Sequence, residues 1–572
     1  MRRRLRSPAV SFGRRAFLGL VGTAAVTAGL PDTAFAQAAR GPAAARRASG
    51  LTTLTRTLRP GRVLRAGQIG DYRAVAPDRG EPYLLREELV GARPGRRGRR
   101  SSLVSFVHLT DQHVVDVQST TRVEFTDRYA DGECGALVPV SSAHRPHEAA
   151  SARIGDAMLR RIRAIGTSPV SGAPLQAAIC TGDNTDNQQG NELSMFLDMM
   201  DGSALTGRPL VAQSGDLARY EGVQRSGDRA YWHPDPGVTA TPDQYKDLFG
   251  FPDAPGWLER ALAPFDAAGA GMPWFSCYGN HDGLAQGNSP VLPAYRVIAE
   301  GGVKVVGTPE HATCHSLTDP DAAVGQLTTP GAPAMPATAD AQRQYVRKRE
   351  WMLAHLDSPG APAGHGFAQR NVDENVAYYV RDVGAVRWIV LDTVNPGGLS
   401  DGSIGERQLA WLDDRLAEAD DQRRLVLLFS HHGPRSLTNQ NQAPDAFADP
   451  DGNDLPRHTA DDVLAVVSAH PSVIGWVNGH THNNVITARQ GPFWDIGSAA
   501  HIDWPSQARL IEVLDNNDGT LSLFTTMVDH ADDDVASFAR ELMANDPQKG
   551  FGTGTGSAAD RNTELLLPHP FR

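Results

Sequence analysis

Cysteine is scarce: the 572-residue chain has four, at Cys134, Cys180, Cys277 and Cys314, and none are spaced as CxxC. That excludes a cysteine-built zinc ribbon or finger. In an oxidising compartment Cys134 and Cys314 form a candidate disulfide, while Cys180 and Cys277 close apolar runs and read as buried residues. Past the N-terminus no stretch is long and apolar enough to cross a bilayer, so no membrane span is expected. No internal repeat is visible, which excludes a repeat array. Net positive charge is also lacking: the formal net charge is −11. Such a balance argues against broad binding to nucleic acid or anionic lipid.

The exception to that charge balance is the N-terminus. Arg2, Arg3, Arg4, Arg6, Arg14 and Arg15 precede a mildly apolar Gly/Ala-rich stretch at 16–30, and Ala34-Phe35-Ala36 offers an A-x-A cleavage site. Arg14-Arg15-Ala16-Phe17-Leu18 resembles the core of a twin-arginine export signal. Residues 1–36 are therefore expected to be a signal peptide, handed to the twin-arginine export machinery and cleaved after Ala36. The mature protein would be secreted or held in the cell envelope. Removing 1–36 takes away six arginines and Asp32, which makes the mature chain about −16. A phosphate-bearing substrate would then need a local source of positive charge, and metal ions are the obvious one.

Residues 37–100 read as an N-terminal extension, with Arg96 to Arg100 as a solvated basic loop. From 101 to 530 apolar strands alternate with amphipathic helices, which is an α/β pattern. Strands are expected at 103–109, 175–180, 272–278, 386–392, 425–430, 473–477, 493–496 and 510–514, with a hairpin turn at 516–519. Helices are expected at 148–165, 192–200, 406–419 and 461–469. Long insertions fall near 114–145, 201–265 and 290–370, and 531–572 reads as a polar C-terminal tail.

Five of these strands end in polar clusters: Asp111/His113, Asp183, Asn280/His281, His431, and His480/His482. Sites in open α/β sheets form outside the carboxyl ends of strands. In extended backbone, residues two apart face the same side, so Asp111 with His113, and His480 with His482, can each converge on one point. An HxH pair alone is a weak signal. Together the clusters supply carboxylates, an amide oxygen and several imidazoles, enough for two divalent ions with about four ligands each. The donor mix suits Zn, Fe or Mn and not Ca.

The ordered motifs D-x-H, GD, GNHD, a histidine pair after a strand, and GHTH resemble the calcineurin-like metallophosphoesterase superfamily, over residues 103–525. The likeness is greatest to its exported, twin-arginine-signalled bacterial branch, whose members carry long insertions. The resemblance implies two mixed β-sheets in a sandwich flanked by helices. It implies that Asp111, His113 and His482 hold one metal, that Asn280, His431 and His480 hold the other, and that Asp183 bridges them. His432 is the alternative to His431. It further implies hydrolysis of phosphate esters by a metal-bridging hydroxide, with His281 near the leaving-group oxygen and Asp186 as its orienting partner. Purple acid phosphatases carry a tyrosine iron ligand at the position of Asp186, so no coloured iron–tyrosinate centre is expected. Asn184, Asn187 and His501 are further candidates to line the pocket.

The motifs leave the substrate open between a small-molecule or lipid phosphate ester, monoester or diester, with the insertions deciding. A non-catalytic metal-binding envelope protein is the reading from another class. A metallo-β-lactamase-type hydrolase is disfavoured because no H-x-H-x-D-H occurs.

Overall fold

The computed structural model describes residues 41–129, 143–212, 219–308, 325–441 and 454–572. The signal segment 1–36, Cys134 and Cys314 lie outside them. Two mixed sheets carry the fold. The strands are β1 (Leu84–Arg86), β2 (Ser101–Leu109), β3 (Ala177–Cys180), β4 (Trp274–Ser276), β5 (Tyr379–Val383), β6 (Val386–Val390), β7 (Leu425–Phe429), β8 (Val473–Asn478), β9 (Val485–Arg489), β10 (Phe493–Gly497), β11 (Gln507–Asp515), β12 (Thr520–Asp529) and β13 (Thr563–Pro568). One sheet runs β1-β13-β12-β11-β2-β3-β4, the other β9-β10-β8-β7-β6-β5.

Each sheet contains a parallel run of three or more strands. β2, β3 and β4 are parallel neighbours, as are β6, β7, β8 and β10. Such strands are covered on both faces, so they read as unbroken apolar runs rather than alternating ones. In β7, Leu425, Leu427 and Phe429 face the core between the sheets, whereas Val426 and Leu428 face the helices α3 (Glu406–Asp421) and α4 (Ala460–Ala469). The sheets meet through edge-to-face aromatics: Phe106 of β2 on Trp388 of β6 at 4.9 Å, and on Phe429 of β7 at 5.7 Å. Helices α1 (Ser151–Ile165) and α2 (Gly190–Asp201) add Met158, Leu159, Ile162 and Phe196 to the same core. This is the sandwich expected from the sequence.

The ends of the chain depart from expectation. Residues 531–572 are not a polar tail. They form α5 (Asp534–Ala544), whose Ala536, Ala539, Leu542 and Met543 are buried, and then β13, which pairs with β12 inside the sheet. The periodic apolar face of the helix and the run Leu565-Leu566-Leu567 explain this, because burying them stabilises more than solvating them. The N-terminal extension is likewise woven in, since β1 pairs with β13. Arg96 and Arg100 are not a solvated patch: both guanidinium groups bind the buried carboxylate of Glu564. Among the described residues no helix is long and apolar enough to cross a membrane.

Candidate metal centre

The parallel runs deliver the polar clusters to one place. Asp111 follows β2, Asp183 follows β3, Asn280 follows β4, His431 follows β7, and His480 and His482 follow β8. Backbone hydrogen bonds tie these loops together: Asp111 N to Gly182 O at 3.1 Å, His113 N to Asp183 O at 3.0 Å, and Gly479 N to His431 O at 3.0 Å. Asp111, His113 and His482 lie with their ligand atoms mutually within 4.8 Å, and so do Asp111, Asp183 and His431. A further group joins His480 to His431 and His432.

Five of the seven candidate ligands sit in the left-handed backbone region: Asp111, His113, Asp183, His480 and His482, with φ between 42° and 65°. Each such non-glycine residue costs on the order of 1 kcal/mol and persists only where the surroundings over-determine it. Gly479, by contrast, is not in that region. Its lack of a side chain serves close approach, because a Cβ there would overlap Thr110 Oγ1 and Asp111 Oδ2. The turn at GHTH is therefore made by the histidines themselves, and the glycine makes room for β2's loop.

The four histidines share one arrangement. Each gives one ring nitrogen to an acceptor and turns the other toward the centre. His431 donates Nδ1–H to Thr181 O at 2.8 Å, and its Nε2 faces Asn280 Oδ1 at 2.8 Å and Asp183 Oδ2 at 3.2 Å. Asn280 donates Nδ2–H to Gly287 O at 2.9 Å, which fixes its oxygen toward His431. His482 donates Nδ1–H to Asp503 at 2.5 Å and brings Nε2 to 3.3 Å from Asp111 Oδ1. His113 donates Nδ1–H to Asp186 at 3.1 Å, and its buried Nε2 has no hydrogen-bond partner, lying 3.7 Å from Asp183 Oδ2. His480 turns Nε2 to Asp401 at 3.4 Å, leaving Nδ1 as its lone pair.

So ring nitrogens face oxygens at a buried centre, where only an added proton or a cation can join them. Buried acceptors left without donors are costly unless a cation sits among them. Outer acceptors that fix the ring tautomer are what metal-ligating histidines require. The residues present therefore fit two divalent ions. His432 does not join them: its Nε2 is taken by Ser400 O and its Nδ1 by Thr393 Oγ1, both at 2.8 Å.

Charge follows the same pattern. Burial alone would raise the Asp111 and Asp183 carboxyls, but His482 beside the first and His431 beside the second hold both well below the usual range. Burial would lower the two imidazoles in turn. Asp183 carries His431 up to about 9, and Asp111 with Asp503 carries His482 up to about 9. Burial lowers His480.

The pair expected between the Asp186 carboxylate and the His281 ring is not formed closely. Those atoms are 3.9 Å apart, and His281 Nδ1 instead donates to the backbone carbonyl of Asp186 at 2.5 Å. The Asp186 carboxylate binds His113, Arg122 Nε at 3.2 Å and Gln286 Nε2 at 3.0 Å. Arg122 is the stronger partner because it is always charged, which the i+3 spacing from Asp183 could not reveal. Burial brings His281 down to about 4, so its ring is neutral near pH 7 in the ion-free protein.

An open pocket lies over the centre, lined among others by His113, Arg122, Arg145, His281, His480, His482 and Lys549. Asn184, Asn187 and His501 are not among its lining residues. They are buried behind it, Asn184 bonded to Asp282 and Cys277 O, Asn187 to Thr121, and His501 to Thr110 O. Sequence reasoning missed Asp503 and Arg145. Arg145 binds both oxygens of Asp503, so an arginine, a carboxylate and His482 form one chain. Asp503 belongs to the loop after β10, another parallel strand end, and that position was the available signal.

No family model matches the chain, and no curated protein matches it. Among solved structures it is similar to a dimetal phosphatase from Danio rerio, at 13% identity and a TM-score of 0.33, covering 75% of this chain and all of that one. It is also similar to purple acid phosphatase PPD1 from yellow lupin seeds, at 10% identity and a TM-score of 0.25, covering 80% of this chain and 56% of that one. At such scores the functional reading rests on the site's own geometry.

Proposed function

We propose that the chain is an exported phosphoesterase that works with two divalent transition-metal ions. The observation that carries this is the convergence at one buried point of His431 Nε2, Asn280 Oδ1, Asp183 Oδ2 and the orphaned His113 Nε2. Asp111, His113 and His482 would hold one ion, Asn280, His431 and His480 the other, with Asp183 shared between them. When bound, two ions so held activate water near neutral pH and neutralise phosphoryl oxygens. The substrate is a small-molecule or lipid phosphate ester.

The protein's own groups set the rest. Asp503 and Thr181 O keep His482 and His431 in the tautomer that presents Nε2. His281, neutral and pinned through Nδ1, offers Nε2 at the pocket, where the negative charge of a bound phosphate raises its proton affinity and lets it carry a proton to the leaving oxygen. Arg122 holds the Asp186 carboxylate, and with it the His113 ring. The twin-arginine motif at Arg14-Arg15 supports export of the folded, metal-loaded protein.

The test is metal content together with hydrolysis of a mono-aryl and a bis-aryl phosphate, after loading with Zn, Fe or Mn. Two equivalents of metal and turnover of at least one ester are expected. Stoichiometric metal without turnover under any loading would leave a binding protein instead. Changing Arg14 and Arg15 to Lys should abolish export of the folded chain.

A further inference from the structure

Besides histidines, three cationic side chains line the pocket: Arg122, Arg145 and Lys549. Two of them are already compensated. Arg122 faces Glu148 at 2.7 Å, Asp186 at 3.2 Å and Glu124 at 3.4 Å. Arg145 binds Asp503 at 2.6 Å. Lys549 has no carboxylate within ion-pair distance among the described residues.

The contrast holds over the whole chain, which contains only four lysines. Lys246 pairs with Asp253 at 2.6 Å, Lys304 with Glu124 at 2.8 Å, and Lys348 with Asp392 at 2.9 Å. Among the described residues Lys549 alone of the four makes no ion pair, and it lines the pocket over the candidate metal centre. It is also held in place. It follows α5 on a loop whose Gln548 Nε2 binds Asp127 at 3.2 Å, whose Asp546 carboxylate caps the Gln548 N–H at 2.9 Å, and whose Phe551 packs edge-on against Trp504 at 4.7 Å. A loop remote in sequence from every metal motif, itself held in place, thus brings an ammonium to the site.

We propose that Lys549 binds the second negative charge of a phosphomonoester dianion, and so sets the site's preference for monoesters over diesters. The proposal rests on the phosphoesterase reading above. Two divalent ions, the Asp111 and Asp183 carboxylates and an attacking hydroxide sum to one positive charge. A diester monoanion neutralises that charge without help. A monoester dianion leaves one negative charge over, and because Arg122 and Arg145 already face carboxylates, Lys549 is the pocket cation left to balance it. A compact ammonium with three donors suits a phosphoryl oxygen.

The experiment measures kcat/KM of the metal-loaded full chain, Lys549→Gln and Lys549→Arg on a mono-aryl and a bis-aryl phosphate, with metal content and melting temperature as controls. For Lys549→Gln the monoester-to-diester ratio of kcat/KM should fall by at least about tenfold, chiefly through KM for the monoester, because an ion-paired hydrogen bond is lost. Lys549→Arg should restore most of the ratio. Equal losses on both esters, or no loss on either, would overturn the proposal. Inorganic phosphate binding to the metal-loaded proteins, by calorimetry, separates this from the parent reading. If wild type turns over neither ester, the phosphoesterase reading fails, while equal phosphate affinity in wild type and Lys549→Gln sinks the role of Lys549.

Discussion

His431 Nε2 and Asn280 Oδ1 lie 2.8 Å apart, with the imidazole's Nδ1–H committed to Thr181 O and the amide's Nδ2–H to Gly287 O. Two acceptors at that distance repel unless a proton or a metal ion joins them. Asp183 Oδ2, 3.2 Å from the same nitrogen, adds a third. In the ion-free protein a proton on His431 joins them; a bound metal ion would take that proton's place.

On the proposed ligand assignment, the paired histidines of the GHTH motif would serve different ions. His482 Nε2 approaches Asp111, whereas His480 groups with His431. His480→Ala and His482→Ala should each lower bound metal from two equivalents to about one, at opposite positions. Anomalous scattering on crystals of each variant distinguishes the positions, and equal loss of both ions in each variant would contradict the split.

Asp503 acts through His482. Its carboxylate accepts Nδ1–H and is itself held by Arg145. Asp503→Asn should weaken the ion held with Asp111 and His113 by about 10–100-fold, and the other ion much less. Competition with a chelator, read separately for each equivalent, measures this.

Protons compete with metal at His431 and His482. A protonated imidazole has no lone pair to give, and both rings hold their proton up to about pH 9 in the ion-free protein, because the facing carboxylates outweigh burial. Metal affinity should therefore fall as pH falls below about 9, with close to two protons released per protein at pH 7. The same pairs stabilise the ion-free fold fully below their unfolded pKa of about 6.5, and lose that contribution as pH rises through about 9. Calorimetry in buffers of different ionisation enthalpy counts the protons; an affinity flat between pH 6 and 9 would refute the competition.

His281 should matter in proportion to how poor the leaving group is. Its Nδ1 is committed to Asp186 O, so Nε2 is the atom available for proton transfer. His281→Gln should lower kcat for an alkyl phosphate by about 100-fold and affect a nitrophenyl ester far less. A loss equal across leaving groups would assign the residue to binding instead.

Most of the sandwich was legible because buried parallel strands write themselves as apolar runs. β7 and β8, at 425–429 and 473–478, are wholly buried and stand out in the sequence. The ends were misread for the opposite reason. β1 is three residues long, too short to carry a periodicity, and its pairing with β13 joins segments hundreds of residues apart. The salt bridges of Arg96 and Arg100 to Glu564 have the same long range, so a run of arginines looked like a solvated loop.

What the sequence determined alone is the set of ligand types at strand ends, because each motif is local: a strand, a turn and a donor within a few residues. GHTH was visible that way from the start. Only the tertiary structure decided that His480 and His482 take the left-handed turn themselves, that Gly479 makes room for Thr110 and Asp111, and that His431 and not His432 has a nitrogen to spare. Only it joined Arg145 to Asp503 and brought Lys549 over the pocket. The reason is physical: a ligand's identity is a property of one residue, whereas its free lone pair, its partner and the charge it faces depend on chains that meet only when the two sheets close on their common core.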